Sequence, residues 1–155
     1  MEKIDIGAKP FLYPMPVSIV GVQLEDKINF LAVAWLTPCN YNPPMISIVL
    51  GKAHYTNKMI YQARKFSVNI PNEQQIMETD YVGLVSGAKV DKKDVFELYG
   101  TYGNEDIKVP LIAKCPINII CELDQVIELP SNEVFIAKVV KTFVNQDCIT
   151  NGQPD

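Results

Sequence analysis

The sequence predicts an α+β fold built mainly from antiparallel β-strands, and two observations support this prediction. Short runs of apolar and β-branched residues lie near both ends of the chain, whereas the stretches with helical character lie together between them. Six or seven strands and two or three short helices can be counted, with no internal repeat and no linker. Strands that flank a helical insertion favour an antiparallel barrel or sandwich over a doubly wound parallel sheet.

Length and composition predict a single domain over residues 1–155. Hydrophobic residues make up 48% of the chain and charged residues 21%, as expected for a packed protein. The net charge is −4 and the basic residues are scattered, which argues against a nucleic-acid partner. No apolar run is long enough for a membrane span and the N-terminus does not resemble a signal peptide, so a cytoplasmic protein is expected.

Metal and hydrolase chemistry are poorly supported by the residue types present. Four cysteines show no Cys-x-x-Cys spacing, and His54 is the single histidine, so no metal site is predicted. A hydrolase would have to use His54, around which there is no nucleophile elbow. No catalytic acid, base or nucleophile is therefore assigned.

The first part of the chain predicts a β-hairpin. Residues 9–22 read as a strand with an irregular, proline-rich entry, and residues 25–27 read as a polar turn. Residues 28–37 then form one β-rich run, with Trp35 near its end. Residues 38–44 are expected to be irregular because they contain three prolines.

The central stretch predicts a strand, a tight loop and a helix. Residues 45–50 alternate as a buried strand that stops at Gly51, and residues 57–64 favour a helix with Thr56 as its N-cap. The free N–H groups of such a helix face the loop and favour an anion such as a phosphate, with Lys52 and His54 close by. An ordinary capped helix after an ordinary strand remains the alternative at this point.

The rest of the chain predicts one helix and a long hairpin. Residues 66–70 read as a half-buried strand and residues 73–85 as a second helix. A lysine-rich polar loop covers residues 86–93, and residues 94–99 favour a short helical turn. The hairpin pairs two long strands, at residues 118–128 and 133–144.

Five blocks of this chain lie in a recognisable order and register: NFLAVAW at 29–35, PPMISI at 43–48, HYTN at 54–57, FSVNI at 66–70 and SGAKVDK at 86–92. In this arrangement they resemble the flavin reductase-like family, and within it the flavoredoxins. The resemblance implies an FMN-binding split β-barrel of Greek-key type, usually a homodimer. It also implies electron or hydride transfer with NAD(P)H or a redox protein as partner.

Carried over position by position, the resemblance implies a set of FMN contacts. The end of the second strand is implied to contact the flavin, the 47–52 and 54–57 stretches the ribityl chain and phosphate, and Lys92 the pyrimidine side of the ring. The implied cofactor-binding residues are Ala34, Trp35, Leu36, Ser47, Leu50, Gly51, Lys52, His54, Tyr55, Thr56, Asn57 and Lys92. For Trp35 a core position is the alternative, and for Lys92 an exposed loop position.

Two departures from the family pattern bear on the substrate side of the pocket. Family members usually continue past the last strand with a segment that packs across the dimer, and that segment is expected to be absent here. Ala88 stands where related chains often have arginine. The resemblance leaves two functions open, an NAD(P)H-dependent flavin reductase and a non-enzymatic FMN electron carrier. A haem-binding or flavin-storage barrel is disfavoured because His54 lies in the predicted phosphate loop.

Overall fold

Two β-hairpins form the framework of the sheet in the computed structural model, which describes residues 1–103 and 108–154. The first pairs β1 (Ser18–Leu24) with β2 (Lys27–Val33), and the second pairs β8 (Ile117–Glu128) with β9 (Asn132–Val144). Glu25 makes the first turn with a φ of 54°. Both hairpins confirm the sequence prediction, because each has its turn residues between two strand-forming runs.

The remaining strands complete a seven-stranded antiparallel sheet of order β2-β1-β5-β8-β9-β4-β3. They are β3 (Leu36–Asn40), β4 (Met45–Gly51) and β5 (Lys65–Ile70). Two separate two-stranded sheets pair β6 (Leu98–Gly103) with β7 (Lys108–Ile112), and β10 (Ile149–Thr150) with β11 (Gln153–Pro154). The outermost strands, β2 and β3, are separated in the chain by Ala34 and Trp35 alone. The two edges of the sheet must therefore meet, and the sheet curls into a barrel.

Helix α1 (Tyr55–Ala63) closes the barrel interior through its buried face. Met59, Ile60 and Ala63 pack in the same cluster as Phe66 and Phe135, and all five are at most 1% exposed. Burial of such apolar surface is the main stabilising contribution to a core of this kind.

Helix α2 (Ile76–Leu84), preceded by a 3₁₀ turn (Glu73–Gln75), covers the outer face of the first hairpin. Val82 packs there with Phe30, Phe96 and Ile112 in a second buried cluster. The predicted second helix is thus confirmed. In the described residues no helix has the length and apolar character needed to span a membrane.

The predicted single strand over residues 28–37 is wrong, because the chain changes partner at Ala34 and Trp35. β2 pairs with β1, whereas β3 pairs with β4. The expectation of irregular backbone through residues 38–44 is also wrong for its first part, since Pro38 lies in β3. β3 is an edge strand, where proline removes no hydrogen bond from the sheet.

Long-range pairing also explains two smaller differences between the sequence prediction and the structure. The turn that follows Lys92 leads into β6, which pairs with β7, so the helical turn predicted for residues 94–99 does not form. β5 is buried on both faces because β7 covers its outer side: Ser67 donates to the Pro110 carbonyl, and the Ile112 N–H donates to Asn69 Oδ1. The last residue of the sequence, Asp155, lies outside the described residues.

Candidate functional site

Helix α1 begins two residues earlier than predicted, at Tyr55 rather than at residue 57. His54, with extended backbone (φ −70°, ψ 129°), is the N-cap residue, and Thr56 lies inside the first turn. The prediction that Thr56 is the N-cap is therefore wrong. The chain already turns at His54, whose N–H donates to the Gly51 carbonyl at 3.1 Å, while the Thr56 hydroxyl accepts from the Asn29 side chain at 2.9 Å.

The first turn of α1 forms one wall of a cavity of about 190 Å³, which we call the helix cavity. It is lined by Leu31, Ala53, His54, Tyr55, Thr56, Gly83, Leu84, Val85, Ser86, Gly87 and Lys92. The first N–H groups of a helix have no intrahelical acceptor and carry the positive end of the helix dipole. A hydroxyl, a lysine and these N–H groups together favour an anion.

Lys92 is a buried cation at this cavity, with 2% of its surface exposed. Its ammonium donates to the carbonyl oxygens of Phe30 and Val82, both at 2.8 Å. Phe30 lies on the edge strand β2 and Val82 in the last turn of α2, so neither carbonyl needs this bond for the sheet or the helix ladder. No carboxylate of the described residues forms an ion pair with Lys92.

Burial lowers the pKa of Lys92 from 10.5 to about 8. The side chain is therefore charged at neutral pH, yet among the described residues its charge is balanced only by backbone dipoles. An anion in the helix cavity would complete this balance. The alternative of an exposed loop lysine does not hold.

Two further cavities continue the helix cavity along the meeting edges of the sheet. The strand cavity, of about 260 Å³, is lined by Leu31, Ala32, Val33, Ala34, Trp35, Val49, Leu50, Gly51, His54 and Asn132. The N-terminal cavity, of about 690 Å³, is lined by Lys9, Pro10, Phe11, Leu12, Pro14, Met15, Pro16, Ala34, Trp35, Leu36, Thr37, Ser47 and Val49.

These three cavities adjoin one another through shared lining residues, and we call them together the groove. Leu31 and His54 line both the helix cavity and the strand cavity. Ala34, Trp35 and Val49 line both the strand cavity and the N-terminal cavity. The groove has a narrow, charged end at α1 and a wide, largely apolar end under the N-terminal segment.

Trp35 lies at the junction of the two wider cavities rather than in the core. It is 45% exposed, and its carbonyl accepts from the Val49 N–H at 2.9 Å, so the backbone is fixed to β4 while the indole borders the groove. The alternative of a core tryptophan does not hold. A planar aromatic side chain in this position can stack against a planar ligand.

Two of the residues implied to contact the flavin do not line any of the three cavities as described. The Lys52 ammonium lies 3.5 Å from the Glu128 carboxylate, with both side chains exposed. The Asn57 amide donates to the Gly51 carbonyl and to Glu133. The remaining ten implied residues line at least one cavity, which brings together residues 34–36 with residues 47–56 and Lys92.

Glu133 holds the start of α1 against the barrel. One of its oxygens accepts from Asn57 at 2.6 Å and the other from the Tyr61 hydroxyl at 2.8 Å. Burial, followed by the hydrogen bond to Glu133, raises the pKa of Tyr61 to about 12. These contacts position the helix without entering the groove.

The sequence prediction missed Asn29 and Gly87 as residues of the site. Asn29 contacts Thr56, and Gly87 lines the helix cavity. The available signal was an asparagine within the otherwise apolar run 28–36, since a polar side chain on a buried strand needs a partner. Both residues fall within the blocks that carry the family resemblance, but neither had an assigned role.

The sequence profile of the "Flavin reductase like domain" family matches residues 11–152. This chain belongs to the flavin reductase-like family. The Methanosarcina acetivorans flavoredoxin structure is 37% identical, with a TM-score of 0.91 over 100% of this chain and 82% of that one. The flavoredoxin of Desulfovibrio vulgaris (Miyazaki F) is 31% identical, with a TM-score of 0.87 over 99% and 83% of the two chains.

More distant members of the same fold extend the comparison. An FMN-binding protein from Thermus thermophilus, with bound 1-cyclohex-2-enone, is 22% identical, with a TM-score of 0.83 over 99% of this chain and 86% of that one. At this identity the likeness concerns the fold alone. The chain therefore has the split β-barrel of Greek-key type that the family resemblance implied, in a family that binds flavins.

Proposed function

We propose that this chain binds FMN in the groove and acts as an NAD(P)H-dependent oxidoreductase of the flavin reductase type. The observation that carries the proposal is the continuity of the groove, from a buried lysine and a helix N-terminus at one end to an aromatic, largely apolar space at the other. FMN has the same sequence of parts, a phosphate, a ribityl chain and a planar ring. The residues present thus fit this cofactor.

The helix cavity would hold the phosphate. Thr56 and the first N–H groups of α1 supply hydrogen-bond donors, and Lys92 supplies a positive charge that no carboxylate of the described residues neutralises. Charge-assisted hydrogen bonds of this kind are stronger than neutral ones. Because Lys92 shares a cavity with Thr56, we place it at the phosphate end rather than beside the pyrimidine ring.

The wider end of the groove would hold the flavin ring. Ala34, Trp35 and Val49 line both wide cavities there, and Leu36 and Ser47 extend the lining. Bound FMN would supply the redox chemistry, because it exchanges one or two electrons with its partners. The protein's own residues then bind and orient the cofactor and leave one side of it open to a donor, so no acid or base is assigned.

A non-enzymatic electron carrier is the second candidate. It is favoured by the identity of this chain to two proteins called flavoredoxins, at 37% and 31%. The groove accommodates either function, since both need FMN held at the surface. The difference lies in whether a nicotinamide nucleotide or a redox protein delivers the electrons.

A spectroscopic titration tests both candidates. The purified chain is loaded with FMN, and separately with FAD, and anaerobic NADH and then NADPH are added. Loss of the oxidised flavin absorbance within seconds, with either nucleotide, supports the reductase. Bound FMN that neither nucleotide reduces, but that a reduced redox protein does reduce, supports the carrier. Failure to bind FMN or FAD contradicts the proposal as a whole.

We also propose that the chain is a cytoplasmic homodimer. Large apolar side chains are exposed along the N-terminal segment and on α2, including Leu12 at 79%, Tyr13 at 71% and Leu84 at 77%. A second copy would cover such surfaces and close the wide end of the groove. Sedimentation of the FMN-loaded protein at micromolar concentration should show a dimer, and a monomer would contradict this part of the proposal.

A further inference from the structure

The Asn29 side chain lies between helix α1 and the loop that faces it. Asn29 is 1% exposed on β2, and its Nδ2–H donates to Thr56 Oγ1 at 2.9 Å. Its Oδ1 is buried and has no hydrogen-bond partner among the described residues. Asn29 does not itself line the helix cavity, yet it contacts Thr56, which does.

The bond to Asn29 determines what the Thr56 hydroxyl can offer a ligand. A hydroxyl has one hydrogen to donate, and here its oxygen accepts from Asn29, so its own hydrogen stays available. Within a helix a threonine hydroxyl usually donates to the carbonyl three or four residues earlier. Thr56 lies in the first turn, where those positions precede the helix, and no acceptor for its hydrogen is found in the described part of the chain.

We propose that Asn29 is a positioning residue, which directs the Thr56 hydroxyl hydrogen into the helix cavity to bind an anionic oxygen. This inference rests on the proposed function, in which that oxygen belongs to the FMN phosphate. Asn29 acts through Thr56 and has no contact of its own with the ligand. It supplies selectivity for a phosphorylated flavin over an unphosphorylated one.

Gly87 holds the Asn29 carboxamide from the opposite side. A Cβ atom on Gly87 would overlap Asn29 Oδ1 and come within 2.7 Å of Asn29 Cγ. The backbone of the loop thus packs directly on the carboxamide, and a side chain at position 87 would displace it. With Thr56 on one side and Gly87 on the other, Asn29 is fixed before any ligand arrives, as preorganised binding requires.

The reverse arrangement of the carboxamide makes an opposite prediction. If Thr56 donated to Asn29 Oδ1, its hydrogen would be occupied, and removing the carboxamide would free it. FMN affinity would then stay constant or increase. Removal of the Asn29 carboxamide is therefore expected to lower FMN affinity only if Asn29 is the donor in its hydrogen bond with Thr56.

A double-mutant cycle tests the proposal, with FMN and riboflavin affinities measured by fluorescence titration. Thr56→Val removes the hydroxyl and keeps the shape, and Asn29→Leu removes the amide and keeps a branched side chain of the same length. We expect Asn29→Leu alone to weaken FMN about fivefold to tenfold and riboflavin less than twofold. In the Thr56→Val background the same change should cost FMN less than twofold, because the group that Asn29 positions is gone.

The outcomes separate this inference from the proposed function. If Thr56→Val weakens FMN selectively but the effects of the two substitutions simply add, or Asn29→Leu weakens both flavins equally, the positioning role is wrong and the phosphate site stands. If Thr56→Val leaves the ratio of the two affinities unchanged, the phosphate site itself is wrong. Should Asn29→Leu not fold, as judged by circular dichroism, Gly87→Ala displaces the carboxamide instead. Its expected result is the same selective loss, and an equal loss for both flavins would overturn the proposal.

Discussion

The two ends of the groove differ in burial. This difference fits one end to holding a ligand and the other to contact with a reaction partner. At the helix end Asn29, Thr56 and Lys92 are at most 2% exposed and are fixed by hydrogen bonds to three different elements. At the other end Trp35 is 45% exposed and its neighbours are mostly apolar. A rigid charged end suits permanent attachment of one ligand group, whereas an open end gives a reaction partner access to the rest.

The largest expected effect comes from removing the charge of the helix end. Lys92→Met keeps the length of the side chain but removes the ammonium of a residue that lines the helix cavity. We expect FMN affinity to fall roughly 10- to 150-fold, about 1.5–3 kcal/mol, as for the loss of a charged hydrogen bond. Riboflavin, which lacks the phosphate, should lose less than threefold. Fluorescence titration of both ligands measures the two losses.

Lys89→Met is the matched control for this change. Lys89 lies on the same loop, is exposed and does not line the helix cavity, so its loss should leave both affinities unchanged. Because Lys92→Met also leaves the Phe30 and Val82 carbonyls without their donor, the free energy of unfolding should fall by about 1–3 kcal/mol. Equal weakening of FMN and riboflavin would contradict a phosphate role for Lys92.

Raising the pH should produce a similar but smaller effect. Burial lowers the pKa of Lys92 to about 8, so the free protein loses this charge as the pH rises through about 8. FMN affinity should then decrease by up to about tenfold per pH unit. The unfolded lysine titrates near 10.5, so between about pH 8 and 10.5 the unfolded state binds more protons, and the Lys92 contribution to apo-protein stability rises over the same range.

As the pH rises, FMN affinity should fall while the stability of the apo-protein rises. These opposite trends identify Lys92 as the titrating group. Titration of FMN between pH 6.5 and 9.5, with chemical denaturation of the apo-protein in the same buffers, measures both trends. In Lys92→Met both should disappear. A wild-type FMN affinity that is constant across pH 8 would show that the ammonium does not face the ligand.

At the open end we expect a smaller effect that does not distinguish the ligands. Trp35→Leu removes an aromatic surface from the junction of the two wide cavities, which should weaken FMN and riboflavin alike by about threefold to tenfold, or roughly 0.5–1.5 kcal/mol. As the single tryptophan, Trp35 also reports binding directly. Its emission should be quenched by FMN, and unchanged emission with proven binding would place the ring elsewhere.

The smallest effect is expected at Lys52, which the family resemblance implied as a contact. Its ammonium pairs with Glu128 on the surface, and such exposed ion pairs contribute about 0–1 kcal/mol to stability. Lys52→Ala should change FMN affinity less than twofold in a titration at moderate salt. A selective loss of FMN larger than fivefold would extend the charged end of the groove beyond the helix cavity.

Local patterns predicted most of the fold, because its hairpins and helices are determined by residues close in sequence. The turns at Glu25 and before Asn132, the second helix and the alternation in β4 could all be read directly. The break at Ala34 could not, since nothing local distinguishes one long strand from two that pair with different partners. Residues 36–40 leave the first hairpin because they pair with β4, and this pairing is not visible in the local sequence pattern.

The site was less predictable than the fold for the same reason. The loop around Lys92 is polar and lysine-rich, which locally indicates a solvated segment, yet Lys92 is buried because Phe30 and Val82 present carbonyl oxygens from two distant elements. Asn29 and Gly87 are likewise brought together only by the packing of the loop on β2. The family resemblance identified Lys92 but not its surroundings.

The short connection made by Ala34 and Trp35 has a mechanical consequence. Val33, the last residue of β2, and Leu36, the first of β3, are three residues apart, so their Cα atoms lie at most about 10 Å from each other and the two edges of the sheet stay close. The groove runs along the line where these two edges meet, with Leu31 on one side and Val49 on the other. The width of the opening is therefore set by the length of this connection, and one inserted residue there would let the two edges move apart while leaving the lining residues of β4 and α1 in place.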